Sequence, residues 1–444
     1  MNKKMNLFQL AWPIFISNVL GMLLGFIDVF VLSKVSDLAA SAISAACQIT
    51  SICSLVFSVV CGATGILVAQ YLGKGDREKA SEITVLCIVT NVSLGVVISA
   101  IVLVFHNDFL HMLGAKKELF DMASAYIAIL GWGIVLDACQ GAIGSVLYSH
   151  GETKISMYIS ASMGILNLVL DAIMVLGLFG VPRMEVRGAA YATIITKVIC
   201  ALLMSYVFFT NVESVTIFKQ LPKTRMQDIK AIFKLGIPSV FDSVNYSITQ
   251  LIITGIIFHS LGENDIIAKT YLMNIAAFFQ LFTGAIASAT QIMVGHEIGA
   301  GDYEKADKDC MHGLKISVLS TMIVCFAATL FSNQLFGIFT QNKEVIQIGF
   351  YLMLANILVE LGRAVNVVFI WSLRGAGDVS VPVLVAVCCM WIIAVGGSWL
   401  AVRVMTLGIV GIWVIAGIDE CVRGVIMYGR WKSKKWMNKR LVYD

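Results

Sequence analysis

Long uncharged apolar runs recur along the whole chain and restrict the folds that it can adopt. Residues 84–105, 270–296 and 380–402 contain no Asp, Glu, Lys or Arg. About 20 apolar residues in a helix are needed to cross the hydrocarbon core of a bilayer. Charged residues make up 14% of the chain, against about 25% in soluble domains. The sequence therefore predicts an all-α polytopic membrane protein, because a helix satisfies its own backbone groups in lipid.

We predict twelve transmembrane helices from these runs. The spans lie near 7–33, 43–70, 84–105, 122–147, 156–178, 188–210, 236–258, 266–294, 313–332, 346–371, 380–402 and 408–430. Only a few residues precede the first span, so we expect no cleavable signal. The eleven cysteines lie mostly within spans and form no CxxC motif, which favours small apolar side chains over a disulfide or metal framework.

Basic residues orient the predicted spans. Lys and Arg are most frequent in the loops on the side of both termini, above all in the 210–236 connection and in the tail "RWKSKKWMNKR". The positive-inside rule therefore predicts cytoplasmic termini in a cell membrane, whether inner or plasma membrane. The formal net charge of +4 follows from this topology and gives no reason to expect a nucleic-acid partner.

Two stretches of the chain repeat each other in order. "ATGILVAQYLGKGDREKA" (63–80) aligns without a gap with "ATQIMVGHEIGAGDYEKA" (289–306), at an offset of 226 residues (289 − 63). Upstream, "LAWPIF" (10–15) aligns with "LGIPSV" (235–240) at an offset of 225 (235 − 10). The pattern indicates an internal duplication of six spans.

The duplication predicts the domains and their symmetry. We expect an N-terminal six-helix bundle over 1–210, a cytoplasmic linker over 211–235, and a C-terminal bundle with a basic tail over 236–444. Because six is even, both bundles have the same orientation, and a pseudo-twofold axis along the membrane normal should relate them.

Two interpretations are open for the repeated polar segments "GKGDREKA" (73–80) and "GAGDYEKA" (299–306), which we call the islands. Gly-x-Gly-Asp, which ends at Asp76, Asp302 and Asp378, also occurs in intramembrane aspartyl proteases, but these copies lie in charged loops. We interpret the first two as turns in which glycines permit a tight bend and an acidic residue caps the next helix. The sequence has no HExxH, Walker A or nucleophile elbow, so we expect neither an enzyme nor an ATP-driven pump.

Ionisable residues within the spans are the candidates for function. Each costs roughly 2.5–3.5 kcal/mol on insertion scales. They are Asp28, Asp137, Asp171, Lys197, Asp242, Glu360, Arg363, Asp419, Glu420 and Arg423. In the duplication Asp28 corresponds to Ile253 and Asp171 to Gly397, so these two carboxylates belong to the N-terminal half alone.

The two carboxylates that occur only in the N-terminal half predict a site for a coupling ion. Asn167 lies one turn before Asp171 on the same face, where its amide can donate to the carboxylate. Pro13 can bend the first helix upstream of Asp28. We predict that Asp28 and Asp171 share one polar pocket that holds a proton or Na⁺. The alternative for each is an interhelical hydrogen bond to Ser or Thr.

The charges of the C-terminal half leave more than one interpretation. Glu360 and Arg363 are spaced to neutralise each other, and Arg363 corresponds to Asp137 in the duplication. This pair, with Asp137, could be a structural latch or contact substrate. We interpret Asp419, Glu420 and Arg423 as a second, structural cluster. The sequence assigns no role to Lys197 or Asp242.

These features together resemble the multidrug and toxic compound extrusion family. The matching segments are the helix of Pro13 and Asp28, "GATGILVAQYLGKGD", "NLVLDAIMV", "RGAAYAT" and "SLRGAGDVSVP". The resemblance implies two six-helix bundles that export varied, cationic amphipathic compounds in exchange for Na⁺ or H⁺. It places the cation site on Asp28, Asn167 and Asp171, with Thr193 as a weaker addition.

The resemblance also implies partners. We expect small-molecule substrates and the lipid bilayer, no ATPase subunit, no cofactor beyond the coupling ion, and a monomer. Some family members place a coupling carboxylate in the tenth span, where this sequence has Arg363. We therefore expect coupling through the N-terminal bundle.

Two other functions fit parts of the pattern. A lipid-linked oligosaccharide flippase of the same broader superfamily would line its cavity with several arginines, whereas only Arg363 and Arg423 are predicted within spans. A channel or membrane scaffold fits the duplication but gives Asp28 and Asp171 no role.

Overall fold

The computed structural model describes residues 6–33, 36–112 and 117–442, with the side chains of 24–33, 37–38, 45 and 117–118 left out of the description. Every regular element within these ranges is a helix. The helices are α1 (Leu7–Ser33), α2 (Asp37–Lys74), α3 (Arg77–Met112), α4 (Lys117–Leu130), α5 (Ile134–Ser149), α6 (Thr153–Leu176), α7 (Glu185–Asn211), α8 (Met226–Ser260), α9 (Glu263–Ala300), α10 (Tyr303–Leu330), α11 (Ser332–Gly337), α12 (Lys343–Gly375), α13 (Ser380–Cys389), α14 (Gly397–Arg403) and α15 (Gly408–Lys432). Short 3₁₀ helices cover Gly131–Gly133, Leu178–Gly180, Val215–Lys223 and Lys435–Lys439.

The described helices confirm the predicted all-α membrane fold. Ten helical segments are long and apolar enough to cross a bilayer. Two of these are composite: α4 and α5 are joined by Gly131–Gly133, and α13 and α14 by the π-helical turn Met390–Gly396. The other two predicted spans are α1, whose described side chains, Leu7–Leu23, are mostly apolar, and α15, which carries three charged residues at its centre.

Helix lengths repeat with the offset of the sequence motifs. Helices α2 and α9 each contain 38 residues, and their starts lie 226 positions apart (263 − 37). The 33-residue helix α12 begins and ends 226 positions after α4 begins and α5 ends (343 − 117 and 375 − 149). The duplication is therefore present in the secondary structure, down to the ends of individual helices.

The chain divides into two compact units. The N-terminal unit contains Ile16–Leu72 and Asp76–Gly236. The C-terminal unit contains the described residues up to Phe15, Gly73–Gly75 and the described residues from Ile237 onward. This division differs from the predicted domains in three ways: the linker is part of the N-terminal unit, whereas the described residues up to Phe15 and the turn Gly73–Gly75 group with the C-terminal unit.

Ion pairs explain why the linker belongs to the N-terminal unit. Lys79 Nζ lies 2.9 Å from Asp228 Oδ2, and Lys223 Nζ lies 2.5 Å from Glu78 Oε1. The hydrogen bond to Glu78 raises the pKa of Lys223. Glu78 and Lys79 of the "GKGDREKA" island therefore bind the linker. This role is additional to the predicted helix capping.

The predicted turns are confirmed at both islands. Gly75 and Gly301 adopt φ of 85° and 79°, which side-chain-bearing residues rarely adopt. Asp76 Oδ1 accepts from the backbone N–H of Lys79, and Asp302 Oδ1 accepts from that of Lys305, each at 3.0 Å. Each aspartate thus caps the helix that follows.

A glycine allows α12 and α15 to pack closely in the C-terminal unit. A Cβ on Gly362 would lie 2.7 Å from the backbone nitrogen of Cys421 and 2.9 Å from the Cβ of Glu420. Neither neighbour is the end of a flexible side chain, so a larger residue must move one helix away from the other.

We expect Gly362→Ala to lower the free energy of unfolding by about 1–3 kcal/mol, as overpacking does in tightly packed interiors. Gly284→Ala is the matched control, since a Cβ there meets nothing within 4 Å. It should leave stability unchanged or raise it, because alanine favours helix over glycine. Denaturation of both variants in detergent measures the difference, and equal stabilities would contradict the close packing.

Candidate coupling and binding sites

Asp171 is buried within an apolar span. It lies on α6, a 24-residue helix that is capped by Gly177 in a left-handed conformation with φ of 76°. Its exposed fraction is 1%, and that of Asn167, one turn earlier, is 7%. The structure therefore places a carboxylate and an amide on one buried face of α6, as the sequence predicts.

The predicted hydrogen bond between these two side chains is wrong. Asn167 Nδ2 is buried and has no hydrogen-bond partner among the described residues. A spacing of four residues places two side chains on the same helix face, but it does not fix the rotamers that a hydrogen bond requires. The amide nitrogen of Asn167 is thus a buried donor that a ligand or a change of rotamer would satisfy.

Of the other residues predicted for the cation site, the structure describes the side chain of Thr193 but not that of Asp28. The side chain of Asp28 lies outside the described residues, so its shared pocket with Asp171 stays a prediction. Thr193 Oγ1 donates to the carbonyl of Ala189 on its own helix at 2.8 Å, which leaves its oxygen lone pairs available. Pro13 is buried within α1, whose helical assignment continues through Ser33.

Asp137 and Lys197 form an ion pair within the N-terminal unit. Lys197 Nζ on α7 lies 2.7 Å from Asp137 Oδ2 on α5. Gln140 Nε2, one turn after Asp137, donates to the backbone carbonyl of Lys197 at 2.9 Å. These contacts tie α5 to α7 and give Lys197 a partner that sequence spacing could not identify.

The charges on α12 and α15 form one network in the C-terminal unit. Arg363 Nη1 donates to Glu360 Oε1 at 2.5 Å, which confirms the predicted pair. Arg423 Nη2 lies 2.6 Å from Asp419 Oδ2 and 3.0 Å from Glu420 Oε1. Glu420 Oε1 also lies 3.4 Å from Arg363 Nε. The two clusters predicted as separate are therefore connected through Glu420.

A third pair belongs to the same region. Arg374 Nη2, in the last turn of α12, donates to Asp242 Oδ2 on α8 at 2.8 Å. The sequence assigns no role to Asp242, and Arg374 lies just beyond the predicted span 346–371. Their separation of 132 residues carries no local signal.

A cavity of about 370 Å³ lies among these charges. It is lined by Asp242, Ser243, Tyr246, Ser247, Gln280, Arg363, Asn366, Val367, Ile370, Trp371, Arg374, Met390, Glu420 and Arg423. All of these residues belong to the C-terminal unit. The volume falls within the range of small-molecule pockets.

The two halves of the chain match the same family model. MatE matches residues 13–173 and again residues 238–400. The chain belongs to the MatE family. Because this family consists of transporters, the chain is a multi-pass membrane transporter and not an enzyme.

Relatives and solved structures agree with this assignment. The uncharacterized transporter YisQ of Bacillus subtilis is 32% identical over 438 residues, with 99% of this chain and 96% of that protein covered. The probable multidrug resistance protein NorM of Thermotoga maritima is 25% identical, with 98% and 93% covered. A MATE transporter in its bent conformation has a TM-score of 0.89 at 20% identity, with 97% and 96% covered. A MOP superfamily transporter from Pyrococcus furiosus has a TM-score of 0.87 at 20% identity, with the same coverage. At these identities the structures show the shared fold.

Proposed function

We propose that this transporter is an antiporter that exports cationic amphipathic compounds in exchange for H⁺ or Na⁺. The observation that carries the proposal is the burial of Asp171 within a span of a transporter-family chain. Relatives described as probable multidrug resistance proteins support the export of varied small molecules. The proposal includes a cell-membrane location, cytoplasmic termini and action as a monomer.

A buried carboxylate suits ion coupling for an energetic reason. An ionised side chain in the bilayer core costs roughly 2.5–3.5 kcal/mol on insertion scales, so a proton or a bound cation stabilises it. Asn167, Thr193 and Asp28 would supply further oxygen ligands for Na⁺ or share the proton. Release of the ion changes the charge of the site, and this difference can bias the protein between two conformations.

The flippase alternative gains one observation from the structure. Three arginines line the cavity of the C-terminal unit, one more than the two that lie within the predicted spans. Each of the three is paired with a carboxylate, however, and the cavity of about 370 Å³ is small for a lipid-linked oligosaccharide. Efflux therefore remains the proposal.

Transport by purified protein in liposomes tests the proposal. We expect a fluorescent cationic dye to be moved against its gradient when either a proton or a sodium gradient is imposed. An ionophore that collapses the effective gradient should stop the movement. Dye flux that persists without any gradient would instead indicate a channel, and translocation of a fluorescent lipid-linked saccharide without dye transport would indicate a flippase.

A further inference from the structure

Two cysteines and an asparagine form a cluster within the N-terminal unit. Cys61 lies on α2, and Cys87 and Asn91 lie one turn apart on α3. Asn91 Nδ2 donates to the sulfur of each cysteine at 3.5 Å, and the two thiols contact each other. Cys87 and Asn91 are fully buried, whereas Cys61 is partly exposed, so a small ion has access from its side. The cluster shares no residue with the coupling site or the cavity described above.

The amide of Asn91 faces the sulfurs with its donor group. Nδ2 also donates to the carbonyl of Cys87 at 3.3 Å, while Oδ1 is buried without a hydrogen-bond partner among the described residues. This orientation leaves an acceptor unpaired, which is unfavourable for a buried group. Donors around a sulfur stabilise the thiolate more than the thiol, because hydrogen bonds to an ionised group are stronger. The arrangement therefore favours a form of the cluster in which the sulfurs carry negative charge.

The duplication indicates that the fold does not require this cluster. Helices α3 and α10 begin 226 positions apart (303 − 77), so each residue of the cluster has a counterpart at that offset. The counterparts are Ala287, Gly313 and Ser317. A Cβ on Gly313 would lie 2.3 Å from Thr290 Oγ1, so α10 approaches α9 closely at the position that corresponds to Cys87. The C-terminal half thus packs the same pair of helices without a thiol, and the two thiols belong to the N-terminal half alone.

The number of ligands restricts the metal that such a cluster can hold. Among the described residues, no group of three or more His, Cys, Asp or Glu side chains could hold a metal ion. Zn²⁺ takes four ligands in structural sites. Two sulfurs alone suit a soft cation in linear coordination, since soft cations select thiolate ligands. Cys61 and Cys87 lie on different helices, 26 residues apart (87 − 61), so sequence spacing does not indicate this pair.

We propose that Cys61 and Cys87 bind a soft divalent cation of the Hg²⁺ type in linear coordination, with Asn91 as the hydrogen-bond donor to both sulfurs. Binding breaks two S–H bonds, forms two sulfur–metal bonds and releases two protons. The two thiolates and the dication make a neutral unit. A monovalent cation such as Cu⁺ or Ag⁺ would leave one negative charge buried within the spans, which is costly. The proposal does not depend on the coupling ion or on the exported compounds.

Mercury retention by the purified full-length protein tests this site. The reduced protein receives one equivalent of HgCl₂, then an excess of glutathione, and is passed through a desalting column. A single cysteine should lose the ion to glutathione, whereas two sulfurs held at fixed positions act at a high effective concentration. We expect the wild-type protein to retain one ion and to lose two free thiols. Retention of no ion, or loss of a single thiol, would overturn the proposal.

Serine variants locate the site. Cys61→Ser and Cys87→Ser nearly keep the size of the side chain but replace the soft ligand by a hydroxyl, and each should retain no mercury. The matched control is Cys388→Ser with Cys389→Ser, which removes two consecutive cysteines that do not face each other on a helix. It should retain one ion. Retention by either single variant, or loss in the control, would contradict the assignment.

Thermal unfolding gives a measurement that does not depend on the folding of any variant. An ion that joins α2 to α3 binds the folded protein more tightly than the unfolded chain, in which the two cysteines are apart. One equivalent of HgCl₂ with excess glutathione should therefore raise the unfolding temperature of the wild-type protein. A temperature that mercury lowers or leaves unchanged would count against the site.

Asn91→Leu separates the hydrogen-bond donor from the metal ligands. It keeps both thiols and similar volume, and it should lower the affinity for mercury at least about tenfold, as loss of a hydrogen bond to a metal ligand typically does. The concentration of glutathione that removes half of the bound mercury measures this change. The unfolding temperature without mercury shows whether the variant is folded. An unchanged affinity in the folded variant would remove Asn91 from the proposal.

A disulfide between the same two cysteines is the competing chemistry. Mass spectrometry of protein purified in air, before any mercury is added, distinguishes the two. Free thiols at both Cys61 and Cys87 would support the metal site. A bond between them that a reductant reverses would assign the pair to thiol oxidation and overturn the metal site.

Discussion

Asp171→Asn is expected to abolish gradient-driven efflux while the protein still folds and inserts. Asparagine has nearly the shape of aspartate but cannot be protonated or carry the negative charge that binds Na⁺. Asp171 is buried within α6, where an ionised side chain is costly, so the neutral amide should still allow the protein to fold and insert. Efflux from proteoliposomes with an imposed ion gradient should fall to the level of liposomes without protein.

Two comparisons make this result specific. Asn167→Ala removes a buried amide and leaves the carboxylate, so it should weaken coupling less than Asp171→Asn. The double variant Asp137→Asn with Lys197→Gln neutralises a partly buried ion pair in the same unit and should retain efflux. If Asp171→Asn transports like the wild type at matched insertion, coupling lies elsewhere, and Glu360 in the C-terminal unit becomes the candidate.

Much of the fold could be predicted because its signals are local or repeated. Apolar runs longer than a bilayer requires identify spans wherever charges are absent, as in 84–105 and 380–402. The aligned segments at 63–80 and 289–306 predicted the duplication, and the equal lengths of α2 and α9 agree with it. The glycine turns and their aspartate caps were predictable because both depend only on neighbouring residues.

The candidate sites were harder to predict because their contacts join distant helices. Glu360 and Arg363 lie three residues apart on one helix, so spacing alone predicts their pair. Lys197 meets Asp137 across 60 residues and Arg374 meets Asp242 across 132. Such contacts depend on how two helices rotate and cross, which helical periodicity does not specify. For the same reason the sequence did not show that Glu420 connects two predicted clusters.

Arg423→Met is expected to destabilise the C-terminal unit strongly. Arg423 is 6% exposed and lies within 3.0 Å of carboxylate oxygens on both Asp419 and Glu420. Methionine fills similar volume, so the main change is two buried carboxylates that lose their shared cation. Removal of one partner from a buried ion pair costs roughly 3–5 kcal/mol. Denaturation of the purified variant in detergent should show a loss of this size.

A second substitution should recover most of that stability. Asp419→Asn in the Arg423→Met background removes the carboxylate that depends on Arg423, whereas Glu420 keeps its contacts with Arg363 and Asn366. The double variant should therefore be more stable than Arg423→Met alone, which is the opposite of what two independent destabilising changes produce. Destabilisation that simply adds would show that Arg423 acts through the packing of its aliphatic stem. Recovery would show that the charges of α15 act as one electrostatic unit, in which the stability of each carboxylate depends on the cation that it shares.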